Sequence, residues 1–387
     1  MCGIAGFLNP GNNHQKTEKE KYEILRKMNE AQHHRGPDDE GIFWENGCAL
    51  GHVRLSILDL YRGHQPMCKK KEGNTYAIIL NGEIYNMKPL KEQLIKEGEV
   101  FATTSDTEVV LIGYIKYGIS YIKQLNGIFA IALWDGKKQK VYLIRDRVGV
   151  KPLFYTKQGE TLIFASEIKG LFAYPGVKPV INREGLCEIF GLGPAKSYGK
   201  GVFKDIYEVL PGHFLEYDRE GLKDHAYWEL KAKEHTDSEK DTIEHTRWLV
   251  KDAVEMQMLS DIPISTFLSG GVDSSLVTAI CAKKLQKEGK NLNTFSFDFV
   301  NNHRYFKSNA FQPSEDRPWV DKMVEFAKTN HRYLECDNEN MIENLYKTVD
   351  ARDLPCMADV ESSMLYFCSK VVKYNKVTLT GECADEI

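Results

Sequence analysis

No cysteine of this chain stands in a C-x-x-C pair, although there are nine of them. An odd, scattered set supports neither a disulfide framework nor a zinc site, and points to a reducing compartment. No apolar run reaches the about 18 residues that a membrane-spanning helix needs, and no signal-peptide pattern opens the chain, so a soluble, cytoplasmic protein is expected. There is no long basic run: 51 Lys and Arg stand against 55 Asp and Glu, a net charge of −4, which offers nothing to nucleic acid or to an anionic membrane. Internal repeats are absent too. What remains is the profile of an enzyme for small molecules, with 387 residues and 42% hydrophobic content, enough for two packed domains.

The most informative stretch is Leu268-Ser269-Gly270-Gly271-Val272-Asp273-Ser274-Ser275, between the apolar run Ile264 to Phe267 and the helix-like run Leu276 to Leu285. Gly270 and Gly271 are suited to positive φ, so backbone N–H groups can point into one concavity, while Ser269, Ser274 and Ser275 add hydroxyls at a helix N-terminus. An anion fits there. Asp273 would repel a bare phosphate, so it reads as a ligand for Mg2+ carried in with a nucleotide, which points to ATP. No Lys follows the glycines, which excludes the G-x-x-x-x-G-K-[ST] loop. The stretch resembles the pyrophosphate loop of the ATP-pyrophosphatases, which split ATP between its α and β phosphates. The competing reading is a plain Gly-Ser turn.

At the other end, Cys2 follows the initiator Met1. Removal of Met1 would give one residue both a thiol and an α-amine, and the amine, with an ordinary pKa of about 7.7 to 8.0, could act as the local base. A small buried Cys at the start of a strand is the alternative. Gln15 to Gln32 reads as an amphipathic helix with Tyr22, Leu25 and Met28 inward, and His33 to Gly41 as a loop. Strands follow at Ile42 to Trp44 and Ala49 to Leu58. Arg54 interrupts apolar surroundings, so it is either paired internally or holds a carboxylate in its fork. The strand Tyr76 to Leu80 runs into Asn81-Gly82-Glu83-Ile84-Tyr85-Asn86, and an Asn amide with a Gly N–H at a strand end is a donor pair suited to an oxyanion. A hairpin turn would need a matched second strand, which does not follow. Helices are predicted for Pro89 to Lys96 and Asp106 to Tyr117, with Ser105 or Asp106 near the N-cap. From Gly127 to Ala165, strands alternate with tight turns, an antiparallel meander.

Met1-Cys2-Gly3-Ile4, His34-Arg35-Gly36-Pro37-Asp38, Arg54-Leu55-Ser56-Ile57, Asn81 to Asn86 and Ser105-Asp106-Thr107-Glu108 resemble, in order and spacing, the class II glutamine amidotransferase domain. The resemblance implies an N-terminal-nucleophile sandwich of antiparallel sheets, α+β in class. It makes Cys2 the nucleophile on the glutamine amide and Asn81 with Gly82 the oxyanion hole. Arg54 would take the glutamine α-carboxylate, Glu83 and Asp106 its α-amino group, and Leu55, Ser56, Ile57 and Leu58 would line the same pocket.

Asn182 to Gly191 reads as a helix and Gly191 to Trp228 as loops and short strands closing a first domain, residues 1–228. The charged stretch 229–241 reads as a linker. Residues 242–387 then change period: helix Thr242 to Leu259, followed by strands and helices in alternation. That is an α/β pattern with a doubly wound parallel sheet and ligands at the carboxyl ends of its strands. Both the Ser269 loop and Thr380-Gly381-Glu382-Cys383-Ala384-Asp385-Glu386 stand at such ends.

Taken together the two halves resemble the glutamine-hydrolysing asparagine synthetase family. The resemblance implies that Asp273 and Asp385 hold Mg2+, that Glu382 supports formation of β-aspartyl-AMP, and that Leu268, Phe297, Thr380 and Gly381 line the nucleotide. Glutamine, aspartate and ATP are then the small-molecule partners, and a homodimer is compatible with the sequence. Two departures stand out. Cys383 replaces a small residue, at a strain of about 1 kcal/mol if positive φ is needed. The chain also ends at Ile387, where the family continues with an aromatic-Gly-Gly stretch and a later lysine, so an incomplete second domain that retains only the glutaminase half is expected. The alternatives are adenylation of another carboxylate, as in β-lactam synthetases, and an inactive glutamine- or partner-binding module. Retention of the glutamine set argues against the first, and a persistent Met1 would favour the second.

Overall fold

The computed structural model describes residues 1–10, 17–310 and 313–382, in two compact units that divide between Ala232 and Lys233. In the first unit the elements are β1 (Gly3–Leu8), α1 (Glu18–Glu30), β2 (Asp39–Glu45), β3 (Cys48–Arg54), β4 (Met67–Lys71), β5 (Asn74–Ile84), α2 (Met87–Lys96), α3 (Asp106–Tyr117), β6 (Gly127–Asp135), β7 (Lys140–Arg145), β8 (Phe154–Gln158), β9 (Thr161–Ala165), α4 (Ile168–Phe172), α5 (Arg183–Leu192), β10 (Tyr207–Glu208), β11 (His213–Asp218) and β12 (Gly221–Ala226).

The strands make two antiparallel six-stranded sheets, ordered β10-β8-β9-β1-β3-β2 and β12-β11-β7-β6-β5-β4. Their inner faces pack together, Ile4, Leu8, Leu50 and Phe164 of one against Ala77, Ile79, Trp134 and Leu143 of the other. Each fully buried Ile, Leu or Phe of this kind contributes about 1.5–3 kcal/mol. Helix α1 covers the outer face of the first sheet at β1 and β3, and α3 covers the second at β5 and β4. This is the sandwich of antiparallel sheets expected from the sequence.

Local departures have physical reasons. In α1 the stripe is Lys21, Ile24, Leu25 and Met28, whereas Tyr22 is exposed rather than inward. The 3.6-residue period puts Tyr22 about 100° from Lys21, at the margin of that face just past the buried Asn29. Thr17 caps α1 through a capping box with Glu20, so the helix starts at Glu18; the predicted start at Gln15 lies outside the described residues. Strand β3 ends at Arg54, not Leu58, because the Leu55 N–H turns to Cys2 and the Arg54 side chain gathers the carbonyls of the following loop. Strand β5 does not stop at Leu80 but runs through Asn81 and Gly82 to Ile84, paired throughout with β6.

The second unit holds α6 (Glu239–Gln257), β13 (Ile264–Phe267), α7 (Val272–Lys287), β14 (Asn293–Phe299), α8 (Asn302–Tyr305), α9 (Arg317–Ala327), β15 (Asn330–Cys336), α10 (Asn338–Arg352), α11 (Ala358–Val371) and β16 (Val377–Leu379). Its sheet is parallel, in the order β15-β14-β13-β16. One face packs Ile264 and Leu292 against Val254, Cys281 and Ala327 from α6, α7 and α9. The other packs Phe295 against Phe367 and Val371 of α11. Helices on both faces make the sheet doubly wound, and the chain reverses direction across it between β13 and β16, where such sheets form their ligand crevice. Among the described residues no helix is long and apolar enough to cross a membrane.

Candidate active site

Strand β1 starts at Gly3, so Cys2 stands at its open end, opposite the end of β3, where Gly3 pairs with Val53. Cys2 Sγ accepts the Leu55 N–H at 3.4 Å, and the Arg35 guanidinium donates to the Cys2 carbonyl at 2.9 Å. Arg35 is itself held by Glu167 at 2.7 Å. Burial raises the Cys2 thiol above its usual range, as does the Glu83 carboxylate, while the Leu55 N–H, the chain amine and Arg54 act in the opposite direction. The Met1 amine is lowered to about 6 by burial first, and further by Arg35 and Lys151. A neutral amine beside a thiol is a proton acceptor.

Side chains on β5 alternate. Ala77 and Ile79 point into the core between the sheets, so Asn81 and Glu83 continue that face toward Cys2. Asn81 is fully buried, and neither atom of its amide has a hydrogen-bond partner among the described residues. A buried amide without partners costs about 1–3 kcal/mol. Such a group is explained by a ligand that completes it.

The backbone beside it is open in a defined way. Gly82 lies across from Phe129, whose N–H and carbonyl turn instead to Asp146, so the pair shares no ladder bond and the Gly82 N–H faces away from β6. On that side β4 stops pairing at Ile78. Along the exposed edge the Leu80 N–H is taken by Gln65 Oε1 at 2.7 Å and the Ile84 N–H by Asp106 Oδ2 at 3.0 Å. Gly82 stands between them, its N–H directed to the same edge. Its φ of 151° excludes a side chain, and a Cβ there would stand 2.0 Å from the Ile128 carbonyl oxygen.

Asp106 does not cap α3: Ser105 does, accepting the Thr107 N–H. Burial raises both Glu83 and Asp106, and Asp106 also raises Glu83. Two carboxylates held this way suit a cationic ligand group. Arg54 is buried, and its guanidinium donates to the carbonyls of Leu58 and Asp59 at 2.8 Å and to Leu60 at 3.5 Å. Neutral acceptors leave its charge uncompensated. The Ser56 N–H is held by Asp38 at 2.9 Å, and Leu55, Ser56, Ile57 and Leu58 form a half-buried loop above the thiol.

Three side chains here were given no role from sequence. Lys151 is buried, with its ammonium 3.0 Å from Met1 Sδ. His52 and Gln65 both grip Leu80. His52 was visible two residues before Arg54, on the same face of a strand; Gln65, fifteen residues from its partner, carried no local signal.

In the second unit the Ser269 loop and the β16 end meet at a cavity of about 410 Å³. Leu268, Ser269, Gly271, Asp273, Ser274, Phe297, Thr380, Gly381 and Glu382 all line it, whereas Gly270 and Ser275 do not. Only Gly270 has positive φ, 83°; Gly271 has φ −68° and serves as the N-cap of α7, so the helix starts at Val272, four residues ahead of the helix-like run expected from Leu276. Gly270 is needed because a Cβ would meet Trp319 and Asp316 at 2.9 and 3.0 Å. Ser269 and Ser274 bond each other, Oγ to Oγ at 3.0 Å, and the Gly271 N–H reaches Ser269 Oγ at 3.4 Å. Asp385 and Cys383 lie outside the described residues, and among the described residues no three His, Cys, Asp or Glu side chains gather as a metal cage.

A glutamine amidotransferase domain model matches residues 1–228, and an asparagine synthase model matches residues 245–387. The chain is 45% identical to an asparagine synthetase [glutamine-hydrolyzing] 3 of Bacillus subtilis, over all of this chain and 62% of that one. It is 35% identical to a putative asparagine synthetase [glutamine-hydrolyzing] 2 of Methanocaldococcus jannaschii, over all of this chain and 75% of that one. An amidase chyE of Penicillium rubens is 30% identical, over all of this chain and 58% of its own length. The chain thus spans about three-fifths of the length of the Bacillus subtilis relative.

Proposed function

This chain belongs to the glutamine-hydrolysing asparagine synthetase family, and from that premise we propose that it releases ammonia from glutamine at Cys2 and uses it to amidate an ATP-activated aspartate. The observation that carries the first half is the Asn81 amide, fully buried and unpartnered among the described residues, beside the Gly82 N–H that faces away from β6. Two donors held ready are what a tetrahedral oxyanion requires.

With Met1 removed, the Cys2 amine takes the thiol proton and Sγ attacks the glutamine side-chain carbonyl. The carbonyl oxygen becomes an oxyanion received by Asn81 Nδ2 and the Gly82 N–H. Collapse breaks the C–N bond, the amine returns its proton to the departing nitrogen, and ammonia leaves a thioester on Cys2. Water then adds to the thioester carbonyl and releases glutamate. Arg54 takes the substrate α-carboxylate, since its own bonds to neutral carbonyls leave the positive charge available. Glu83 and Asp106 take the α-ammonium.

In the second unit the cavity at the Ser269 loop is the proposed ATP site, with backbone and hydroxyl donors at the start of α7 for the phosphates. Asp273, a hard oxygen donor on the cavity wall, and Asp385 would hold a magnesium ion brought in with the nucleotide. Such an ion would neutralise charge on the leaving pyrophosphate. A cytoplasmic location and a homodimer belong to the same proposal.

The test is glutamate and asparagine release with glutamine, aspartate and ATP present or omitted in turn, comparing the wild type with Cys2→Ala after mass spectrometry of the N-terminus. Glutamate release that survives Cys2→Ala sinks the glutaminase reading. Glutamate release without asparagine confines the activity to the first half.

A further inference from the structure

We propose that His52 and Gln65 are positioning residues for the oxyanion hole, clamping the Leu80 peptide so that Asn81 and Gly82 present their donors at a fixed place. This rests on the glutaminase reading above and deepens it. The open edge of β5 needs such a device. Beyond Ile78 no strand among the described residues pairs with it on that side, so the backbone groups of Leu80, Gly82 and Ile84 would otherwise be unheld.

The clamp is made of two buried side chains from different elements. Gln65, 5% exposed, accepts the Leu80 N–H at 2.7 Å and donates to Thr107 Oγ1 at 3.1 Å, tying the strand to the start of α3. His52, fully buried on β3, has Nε2 at 3.2 Å from the Leu80 carbonyl. A carbonyl only accepts, so Nε2 carries a proton, and burial lowers the ring pKa to about 3, which keeps it neutral with Nδ1 bare. The Leu80 carbonyl and the Asn81 N–H lie in one planar peptide unit, so a hand on that oxygen fixes the orientation of the Asn81 Cα. With Asp106 holding Ile84, the edge is pinned on both sides of Gly82.

The need for pinning follows from the Asn81 amide itself. Among the described residues it makes no hydrogen bond that could hold it in place, so its aim depends on the backbone beneath it. An oxyanion hole works by preorganisation, and a displacement of about 1 Å is worth up to about a hundredfold in rate. A residue that merely fills the core would change stability without changing discrimination between the ground state and the tetrahedral state.

The experiment uses the full chain and the probe glutamate γ-semialdehyde. Its carbonyl adds the Cys2 thiol across the C=O bond, giving a reversible hemithioacetal whose oxygen sits in the oxyanion hole. His52→Met and Gln65→Met are each expected to lower kcat for glutamine about tenfold with KM within twofold, and to weaken the aldehyde by a similar factor. His52→Gln, which restores an N–H donor, is expected to recover most of both. Unchanged kcat and aldehyde affinity in folded variants, or an equal weakening of glutamine and aldehyde, overturns the proposal. A variant without a cooperative melt assigns that side chain to stability and overturns it for that residue. A wild type that releases no glutamate fails the glutaminase reading, and this inference falls with it; an active wild type with indifferent variants fails this inference alone.

Discussion

Gly381 abuts the first turn of α7 so closely that a Cβ on it would stand 2.6 Å from the Asp273 carbonyl carbon and 2.8 Å from the Ser274 N–H nitrogen. The end of β16 and the start of α7 are thereby locked backbone to backbone across the switch point of the parallel sheet. Gly381→Ala must push the Asp273 turn away. We expect it to weaken binding of Mg·ATP to the full chain by at least about tenfold, measured by calorimetry, while leaving glutamate release unaffected. Equal affinity in the two proteins would separate this contact from nucleotide binding.

Asn81 supplies the second test. Removing one oxyanion donor costs about 10²–10³ in kcat. Asn81→Ala is therefore expected to lower kcat for glutamine by that factor with little change in KM. A KM effect of the same size would make Asn81 a ground-state contact.

Met1 supplies the third. Its thioether lies on the Lys151 ammonium and its amide bond takes up the Cys2 nitrogen, so a chain that keeps Met1 cannot use the Cys2 amine as base. Protein separated by mass into processed and unprocessed forms should release glutamate only from the processed one. Activity in proportion to total protein would show that the Cys2 amine is not needed.

How far the sequence reached can be seen at single residues. The period-2 and period-3.6 patterns located the longer strands and helices, because burial on one face writes itself into the spacing of apolar residues, but not the short, half-exposed β4 or the one-turn α4. Tyr22 misled because an aromatic at i−3 from Leu25 fits the template while its side chain stands at the exposed margin of the buried face. The end of β3 was hidden because what stops it is non-local: a thiol 53 residues away takes the Leu55 N–H. Asn81 and Gly82 were legible as a donor pair, but not the reason the Gly82 N–H faces away from β6, which lies in Asp146 drawing the Phe129 backbone to the far side. Gln65 was invisible for the same reason.

Glu83 supplies the last test, in which function and stability oppose each other. Burial and the neighbouring Asp106 raise its carboxyl well above the ordinary range, so the folded chain holds a proton that the unfolded chain has lost. Where the native state binds more protons, stability falls as pH rises; the loss begins near the ordinary carboxyl pKa of about 4.3 and is complete above the raised folded value. Glu83→Gln removes the titrating group but keeps the shape. It is expected to melt higher than the wild type at pH 8, by about 2–4 °C for each kcal/mol recovered, with the gap closing as pH falls below about 4. The same variant should lose affinity for glutamine, because the α-ammonium loses one of its two carboxylates. A gap that stays constant between pH 4 and 8 would mean that Glu83 is not held protonated in the fold, and a variant that melts lower at pH 8 would mean that its charge is stabilised there by cations that act on it, such as Lys151 and Arg54.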